Sequence, residues 1–298
     1  MEKTLFVDIG SGKQASILRE IKNKSGLNWN EIAKILKVKR RMIFHYLRET
    51  SKIRFHKLIF LGIETDFDLK KLYTLNIVKS NYFQKKEISQ PELNEGLAEF
   101  LGAMAGDGNI YGKNNRVSIT CSAIVDYDYV VNVIGKKFEK LFGLEPTFVT
   151  KNGAIRCLIY SKELVLFLSE KCKFVIGNRK NKTFIPKVIL KNEKLLCAYL
   201  RGLFDTDGSF HRKRENSGVV EYISCSPNFL NQIKEALISL GFKASLSGKS
   251  VYIYDQKQLD TFFKLIKPSN IKHTIKYQIF KETRKVPTHK EYVKAAIV

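Results

Sequence analysis

Two stretches of this chain, 100 residues apart, carry nearly the same pattern. The first is Leu97-Ala-Glu-Phe-Leu-Gly-Ala-Met-Ala-Gly-Asp107-Gly108, and the second is Cys197-Ala-Tyr-Leu-Arg-Gly-Leu-Phe-Asp-Thr-Asp207-Gly208. Each reads as an apolar helix with small residues at i and i+4, which let two helix backbones approach closely. Each ends in an aspartate, which is unfavourable at the negative end of a helix, and a glycine, which ends the helix. Packing two such helices together would place Asp107 beside Asp207, where a bound Mg²⁺ would explain the pair.

The similarity continues beyond the two motifs, which indicates a duplication. Each aspartate is followed by two strand-like stretches, and the second of these closes on Cys121-Ser122 in one copy and Cys225-Ser226 in the other. A helical stretch that ends near a glycine follows in both copies. A period this long predicts tandem domains rather than a solenoid, whose periods are roughly 20–50 residues.

The two motifs resemble those of the LAGLIDADG homing endonucleases in their single-chain, two-motif form, over about residues 89–298. The resemblance implies an α+β fold of two pseudo-symmetric αββαββα repeats, whose antiparallel sheets form a saddle over DNA. The residues themselves also predict helix, two strands, helix, two strands and helix in each repeat. We predict a small all-α helix-turn-helix-like module at 13–62, a basic linker with Lys85-Lys86 at 63–88, and repeats at 89–190 and 191–298.

Composition predicts a polyanionic partner. The chain has 52 Lys and Arg against 29 Asp and Glu, a net charge of +23, which favours nucleic acid. Neither a bilayer-spanning apolar run nor a signal-peptide pattern is present, so we expect no membrane partner. The five cysteines form no CxxC pair, so a reducing cytoplasm fits better than a zinc or disulfide framework. The chain ends lack the nucleophile and the His-Asn pair of protein splicing, so we do not expect an intein.

Residues 28–49 read as two short amphipathic helices joined by a tight turn. The second helix begins with Lys39, Arg40 and Arg41, three cations at its positive end, an arrangement that suits contact with phosphates. This pattern resembles a helix-turn-helix module, whose second helix enters the major groove, and His45 continues the exposed face. A small helical domain with a solvated basic face is the alternative.

The aspartates suit phosphodiester hydrolysis, which needs an activated water, a stabilised leaving oxygen and charge neutralisation at phosphorus. We expect Asp107 and Asp207 each to hold a metal ion, with the backbone carbonyls of Gly106 and Thr206 as further ligands. Mg²⁺ is the expected ion, with Mn²⁺ as a substitute. A further acid, Asp205, points about 200° away from Asp207 on an ideal helix, so we interpret it as structural.

The resemblance also implies a basic residue from each repeat near the scissile phosphate. In the first repeat, Lys182 before Ile185-Pro186 is the candidate and Lys180 competes with it. In the second repeat, Lys276 and Lys272 are the nearest counterparts. A surface lysine without a catalytic role is the alternative at each position.

Alternation along the strands predicts a DNA-facing polar surface in each repeat. Ile110 and Phe210 face the core, as do Phe242, Ala244 and Leu246. The outward candidates are Asn109, Tyr111, Lys113, Arg116 and Arg156 in the first repeat and Ser209, His211, Lys213, Lys243, Ser245 and Tyr252 in the second. An ordinary solvated sheet face is the alternative.

The sequence favours a site-specific, Mg²⁺-dependent endonuclease that cuts double-stranded DNA as a monomer with internal pseudo-two-fold symmetry. Two alternatives stay open. One is an RNA-binding maturase that acts on its host intron RNA. The other is a non-catalytic transcription regulator of the same fold, against which the presence of both aspartates argues.

Overall fold

The computed structural model describes residues 5–7, 12–73, 77–79, 88–179, 181–288 and 291–293, and all structural observations refer to these residues. The chain divides into two compact units, residues 1–84 and 85–298. Lys85-Lys86 and Lys180 lie outside the described residues. No helix in the described ranges has the length and hydropathy needed to span a bilayer.

The N-terminal unit is mainly helical. Its elements are β1 (Leu5–Val7), α1 (Lys13–Ser25), α2 (Trp29–Ile35), α3 (Arg40–Leu47), α4 (Phe55–Glu64), α5 (Leu69–Tyr73) and β2 (Ile77–Lys79). β1 pairs with β2 in antiparallel orientation. α2 begins with a capping box: the Asn28 side chain accepts a bond from the backbone N–H of Glu31, and the Glu31 side chain accepts one from the backbone N–H of Asn28.

The core of the N-terminal unit extends past the predicted module. Leu18, Ile32 and Ile43 are fully buried in one cluster. Phe67 and Leu72 belong to the same cluster, although both come from the segment predicted to be a linker. Residues just after α4 therefore take part in folding this unit rather than only connecting it to the next.

Each repeat follows the predicted αββαββα order. The first contains α6 (Glu95–Gly106), β3 (Gly108–Tyr111), β4 (Arg116–Ser122), a π-helical segment (Tyr129–Gly135) continuous with α7 (Lys136–Phe142), β5 (Thr147–Lys151), β6 (Ala154–Tyr160), α8 (Lys162–Leu166) running into a second π-helical segment (Phe167–Lys171), and α9 (Lys187–Leu190). The second contains α10 (Glu193–Asp207), β7 (Gly208–Arg212), β8 (Gly218–Ile223), α11 (Pro227–Ser239), β9 (Ala244–Ser247), β10 (Ser250–Ile253), α12 (Leu259–Ile266) and α13 (Ile271–Thr283). Short 3₁₀ turns lie at Gly112–Asn114 and Gln256–Gln258.

The strands form two four-stranded antiparallel sheets with matching order, β3-β4-β6-β5 and β7-β8-β10-β9. One face of each sheet packs on the helices, and Ile110 and Phe210 are buried there as predicted. Residues of both repeats share one hydrophobic cluster. The predicted fold class and the duplication are thus confirmed.

One predicted core position is wrong. Leu246 of β9 is 37 % exposed, whereas Phe242 and Ala244 are buried as predicted. β9 is the edge strand of its sheet, so Leu246 has a strand neighbour, Val251, on one side only. Alternation predicts the face of a strand that a residue occupies, but an edge position leaves that face less covered.

The motif helices α6 and α10 pack backbone against backbone. A Cβ added at Gly102 would overlap the carbonyl oxygen of Tyr199, and one added at Gly202 would overlap that of Glu99. Both helices begin at an asparagine, Asn94 and Asn192, whose side chain accepts a bond from the backbone N–H three residues on. The small residues in the motifs therefore set the distance between the two repeats.

We predict that Gly102→Ala lowers the free energy of unfolding by about 2–3 kcal/mol, because the new methyl group must push two helix backbones apart. Urea unfolding followed by circular dichroism measures this change. Gly96→Ala is the matched control in the same helix, since a Cβ there would lie 3.7 Å from Leu141 and 3.2 Å from the capping side chain of Asn94, which would have to shift by only a few tenths of an ångström. A similar loss in both variants would contradict the close-packing explanation.

Candidate functional site

The two motif helices end side by side. α6 ends at Gly106 and α10 ends at Asp207. A Cβ added at Gly106 would overlap the Thr206 hydroxyl and lie 3.4 Å from the carboxyl carbon of Asp207. Asp107 and Asp207 are both half-buried, and both lie at negative helix ends. The structure therefore brings together the four residues that the sequence proposes as metal ligands.

The two carboxylates are held in an environment that disfavours their charge. Burial and, after it, the charge of Asp107 raise the pKa of Asp207 to about 7, against the effects of Arg179 and Lys272. Burial also raises the pKa of Asp107, although the Cys121 thiol donates a hydrogen bond to it (Sγ to Oδ2, 3.4 Å). Because ionised carboxylates are less stable here than in water, the pair lowers the stability of the fold unless a cation compensates.

Arg179 is a cation that contacts the end of the first motif helix. It is not among the residues predicted from the sequence. Its Nη1 donates to the carbonyl oxygens of Met104 and Ala105 (2.9 Å to Ala105), and its Nη2 donates to that of Gly106. Burial lowers the pKa of its guanidinium, whereas the charges of Asp207 and Asp107 raise it. Arg179 lies three residues before Lys182 in the same basic run, so the sequence carries a signal for a cation here but does not distinguish the arginine from the lysines.

The ammonium group of Lys272, from the second repeat, is the second positive charge near Asp107 and Asp207. Its Nζ lies 2.8 Å from Oδ1 of Asp126, and its side chain is 16 % exposed. Its positive charge lowers the pKa of both Asp107 and Asp207. Of the two lysines that the sequence left open in this repeat, Lys272 is therefore the one whose charge acts on the aspartates.

The two lysines named first as catalytic candidates have other surroundings. Lys182 is exposed in the segment before α9, and its backbone N–H donates to the carbonyl of Arg179 at 2.9 Å. The Lys276 ammonium lies 5.7 Å from the ring centre of Tyr292, and burial lowers its pKa. A role for either lysine at the scissile phosphate stays a prediction.

Asp205 belongs to a buried network rather than to the carboxylate pair. It is fully buried and accepts bonds from the backbone N–H groups of Ser269 (2.9 Å) and Asn270 (3.0 Å), just before α13. The Asn270 side chain donates in turn to Asp126 of the first repeat at 2.7 Å. Burial raises the pKa of Asp205 to about 7. These hydrogen bonds from backbone N–H groups agree with the structural interpretation of Asp205.

The donors at the motif ends fit a hard divalent cation. They are two carboxylates and helix-end carbonyls, the oxygen ligands that Mg²⁺, Mn²⁺ and Ca²⁺ accept and that zinc sites use less. In the described part of the chain, no group of three or more His, Cys, Asp and Glu side chains is placed to hold a metal ion. A cation here would therefore complete its coordination with carbonyl, water or substrate oxygens.

A cleft of about 510 Å³ opens beside Asp207 and gives access to it. Arg179 and Thr206 line it, together with Ser209, Ser224 and Cys225 of the second repeat. Asp207 is thus half-buried yet open to the cleft.

A family model described as a LAGLIDADG-like domain matches residues 194–267. Residues 194–267 carry a LAGLIDADG-like domain. The match begins within the second motif helix and ends just after α12, so it covers most of the second repeat.

The proteins with similar sequences have different names and activities. The alpha subunit of the ribonucleoside-diphosphate reductase NrdEB of Bacillus subtilis is 28 % identical to this chain over 224 residues. The match covers 70 % of this chain and 20 % of that subunit. The glutamine–fructose-6-phosphate aminotransferase of Methanocaldococcus jannaschii is 26 % identical over 238 residues, which are 77 % of this chain and 20 % of that protein. The chain thus spans about a fifth of the length of these relatives.

Among solved structures, the homing endonuclease I-DmoI is 18 % identical, with a TM-score of 0.43, over 58 % of this chain and 95 % of that one. The N-terminal LAGLIDADG domain of WhiA is 16 % identical, with a TM-score of 0.42, over 58 % of this chain and 80 % of that one.

In the first repeat, the polar sheet face carries most of the residues predicted to meet DNA. Asn109, Tyr111 and Arg156 are exposed on the strands, whereas Lys113 is exposed in the 3₁₀ turn after β3, because β3 ends at Tyr111 and the alternation stops there. Arg116 is half-buried, and its guanidinium lies 5.3 Å from the ring centre of Tyr111 on the neighbouring strand. Arg156 donates to the Thr120 hydroxyl at 3.1 Å, which holds its side chain along the sheet.

In the second repeat, Ser209, Glu221, Tyr252 and Ser245 form one row across the four strands. Glu221 was not among the predicted residues, and its carboxylate lies 3.6 Å from Nδ1 of His211. Of the other predicted residues, the Lys213 ammonium lies 4.9 Å from the ring centre of Tyr252, and the Lys243 ammonium lies 3.2 Å from the Asp255 carboxylate. This face therefore mixes basic, aromatic and acidic groups.

In the N-terminal unit, α2 and α3 are joined by residues 36–39, as the sequence predicts for a tight turn. Lys39, Arg40, Arg41 and His45 are all exposed. Lys39 is the N-cap of α3 and its side chain makes no capping bond. The basic face at the start of α3 is thus available to a partner.

We predict that Asp207→Asn stabilises the metal-free protein at pH 8 more than at pH 5. A carboxyl whose folded-state pKa is about 7, above its ordinary value of 3.8, contributes stability that is lost as the pH rises through 7. The advantage of the asparagine variant should therefore grow by about 2–3 kcal/mol between the two pH values. Urea unfolding in EDTA measures it, with the exposed Asp128→Asn as control. An advantage that does not change with pH would contradict the assignment.

Proposed function

We propose that this chain is a site-specific endonuclease that hydrolyses phosphodiesters of double-stranded DNA with a divalent metal held by Asp107 and Asp207. The observation that carries the proposal is the pair of half-buried carboxylates at the adjoining ends of two closely packed helices. Helix ends and carboxylates all present negative charge there, and folding alone gains nothing from that arrangement.

The carbonyls of Gly106 and Thr206 would add ligands for Mg²⁺, or for Mn²⁺ as a substitute. When bound, the metal would supply Lewis-acid activation of the attacking water and of the leaving oxygen. The residues of the chain do the positioning. Asp107 and Asp207 come one from each repeat, so each would serve one strand of a duplex, and the cleft beside Asp207 would partly shield the reacting groups from water.

Arg179 and Lys272 are proposed as the basic residues of the site, one from each repeat. Their charges already act on both aspartates. In a complex they would face a phosphodiester, whose negative charge they can balance. Lys182 and Lys276 remain predicted candidates for the same role at the scissile phosphate.

The polar sheet faces and the basic net charge support DNA as the substrate. Phosphate contacts would come from the lysines and arginines of these faces, and base contacts from side chains such as Asn109 and His211. Lys39, Arg40, Arg41 and His45 on α3 would add a second DNA contact. The relatives have unrelated activities and match over a small share of their length, which supports a function belonging to the segment itself, such as intron homing.

The deciding experiment is cleavage of a randomised duplex library in Mg²⁺. We expect the wild-type protein to cut the library at one discrete sequence, in the presence of Mg²⁺ or Mn²⁺. Asp107→Asn and Asp207→Asn should each lower double-strand cleavage by about 10²-fold or more while DNA binding persists, because transition-state charge loses its compensation. The exposed carboxylate variant Asp128→Asn should cut like the wild type.

Three outcomes would redirect the proposal. Wild-type cutting rates in both motif variants would exclude the two-carboxylate site. Binding to one DNA sequence without cutting in either metal would favour the transcription regulator. Salt-sensitive binding to intron RNA without DNA cleavage would favour the maturase.

A further inference from the structure

Arg179 makes an unusual contact with the end of the first motif helix. Its guanidinium donates to three consecutive backbone carbonyls, those of Met104, Ala105 and Gly106. These are among the last carbonyls of α6, which lack partners within the helix. Arg179 thus supplies positive charge at the negative helix end that also carries Asp107.

The segment that carries Arg179 is fixed on both sides. The backbone N–H of Gly177 donates to the carbonyl of Ile110 at 2.8 Å. The backbone N–H of Ile185 donates to the Gln232 side chain at 2.8 Å. Lys272, the cation contributed by the other repeat, pairs with the Asp126 carboxylate instead of a motif carbonyl. The contact is therefore specific to the first motif.

The Gly106 carbonyl is the point of conflict. It is one of the oxygens proposed to coordinate the metal, yet it accepts a bond from Arg179 Nη2. A divalent cation bound to that oxygen would stand within a few ångströms of a guanidinium, and like charges at that distance in a partly buried site repel strongly. Both cations also draw on the same two carboxylates.

We propose that Arg179 and the divalent cation compete for the Gly106 carbonyl, so that Arg179 holds down metal affinity in the DNA-free protein. Metal binding at Asp107 then requires the guanidinium to leave the helix end. This inference rests on the proposed function, because it takes the carboxylate pair to be the metal site. It makes Arg179 a positioning residue that controls access to the site.

The test is Mn²⁺ binding to the DNA-free full chain, measured from the electron paramagnetic resonance signal of free Mn²⁺. We expect Arg179→Gln to lower the Kd by at least about tenfold, because it removes the competing charge. Lys187→Gln is the matched control, since it removes one positive charge from an exposed position at the start of α9, eight residues further along the chain. It should leave the Kd within about twofold of wild type, because exposed charges are screened.

Thermal unfolding supplies a readout that does not depend on activity. Arg179→Gln should lower Tm in EDTA, because three carbonyls lose their donor. Saturating Mn²⁺ should then raise Tm more in the variant than in the wild type, because stabilisation by a ligand grows with its affinity. Arg179→Lys keeps the charge without the planar fork of donors and should fall between the two, which keeps the test usable if the glutamine variant folds poorly.

The outcomes separate the two proposals. Equal Mn²⁺ affinity in the wild type, Arg179→Gln and Arg179→Lys, with weaker binding in Asp107→Asn, would overturn the competition and leave the metal site standing. Mn²⁺ binding that is absent from both the wild type and Arg179→Gln, or unchanged in Asp107→Asn, would remove the metal site and the competition together.

Discussion

The contact between two helix backbones at Gly102 and Gly202 is the constraint on which the rest of the structure depends. Because neither glycine carries a side chain, each helix presses against a carbonyl of the other. That approach joins the cores of the two repeats into one cluster. It also fixes where the helices end, and therefore places Asp107 against Asp207 without any loop having to position them.

The site that results combines charges that oppose one another. Two carboxylates and two helix ends concentrate negative charge in a partly buried place, and burial raises the pKa of both acids. Arg179 and Lys272 offset part of this charge from opposite repeats. Such a balance is what the proposed exchange of a guanidinium for a divalent cation would require.

The repeats are similar in topology but not in the details of the site. At the end of the first motif, Arg179 donates to the backbone carbonyl of Gly106. At the end of the second motif, Asp205 instead accepts a bond from the backbone N–H of Asn270, just before α13. The sheet faces differ as well, since Glu221 places a carboxylate in the middle of the second face. A duplex lying across both repeats would therefore meet two different surfaces, which suits a target without strict symmetry.

The sequence by itself determined the duplication, the element order of each repeat and the pairing of Asp107 with Asp207. These features follow from local periodicity and from small residues at fixed spacing. Both patterns determine local structure and helix packing without depending on where distant parts of the chain lie. Only the tertiary structure decided which cations meet the pair. Arg179 lies 72 residues beyond Asp107 in a segment without regular periodicity, and several lysines surround it. Its partners are backbone carbonyls, which have no sequence signature, so three-dimensional packing alone selects it.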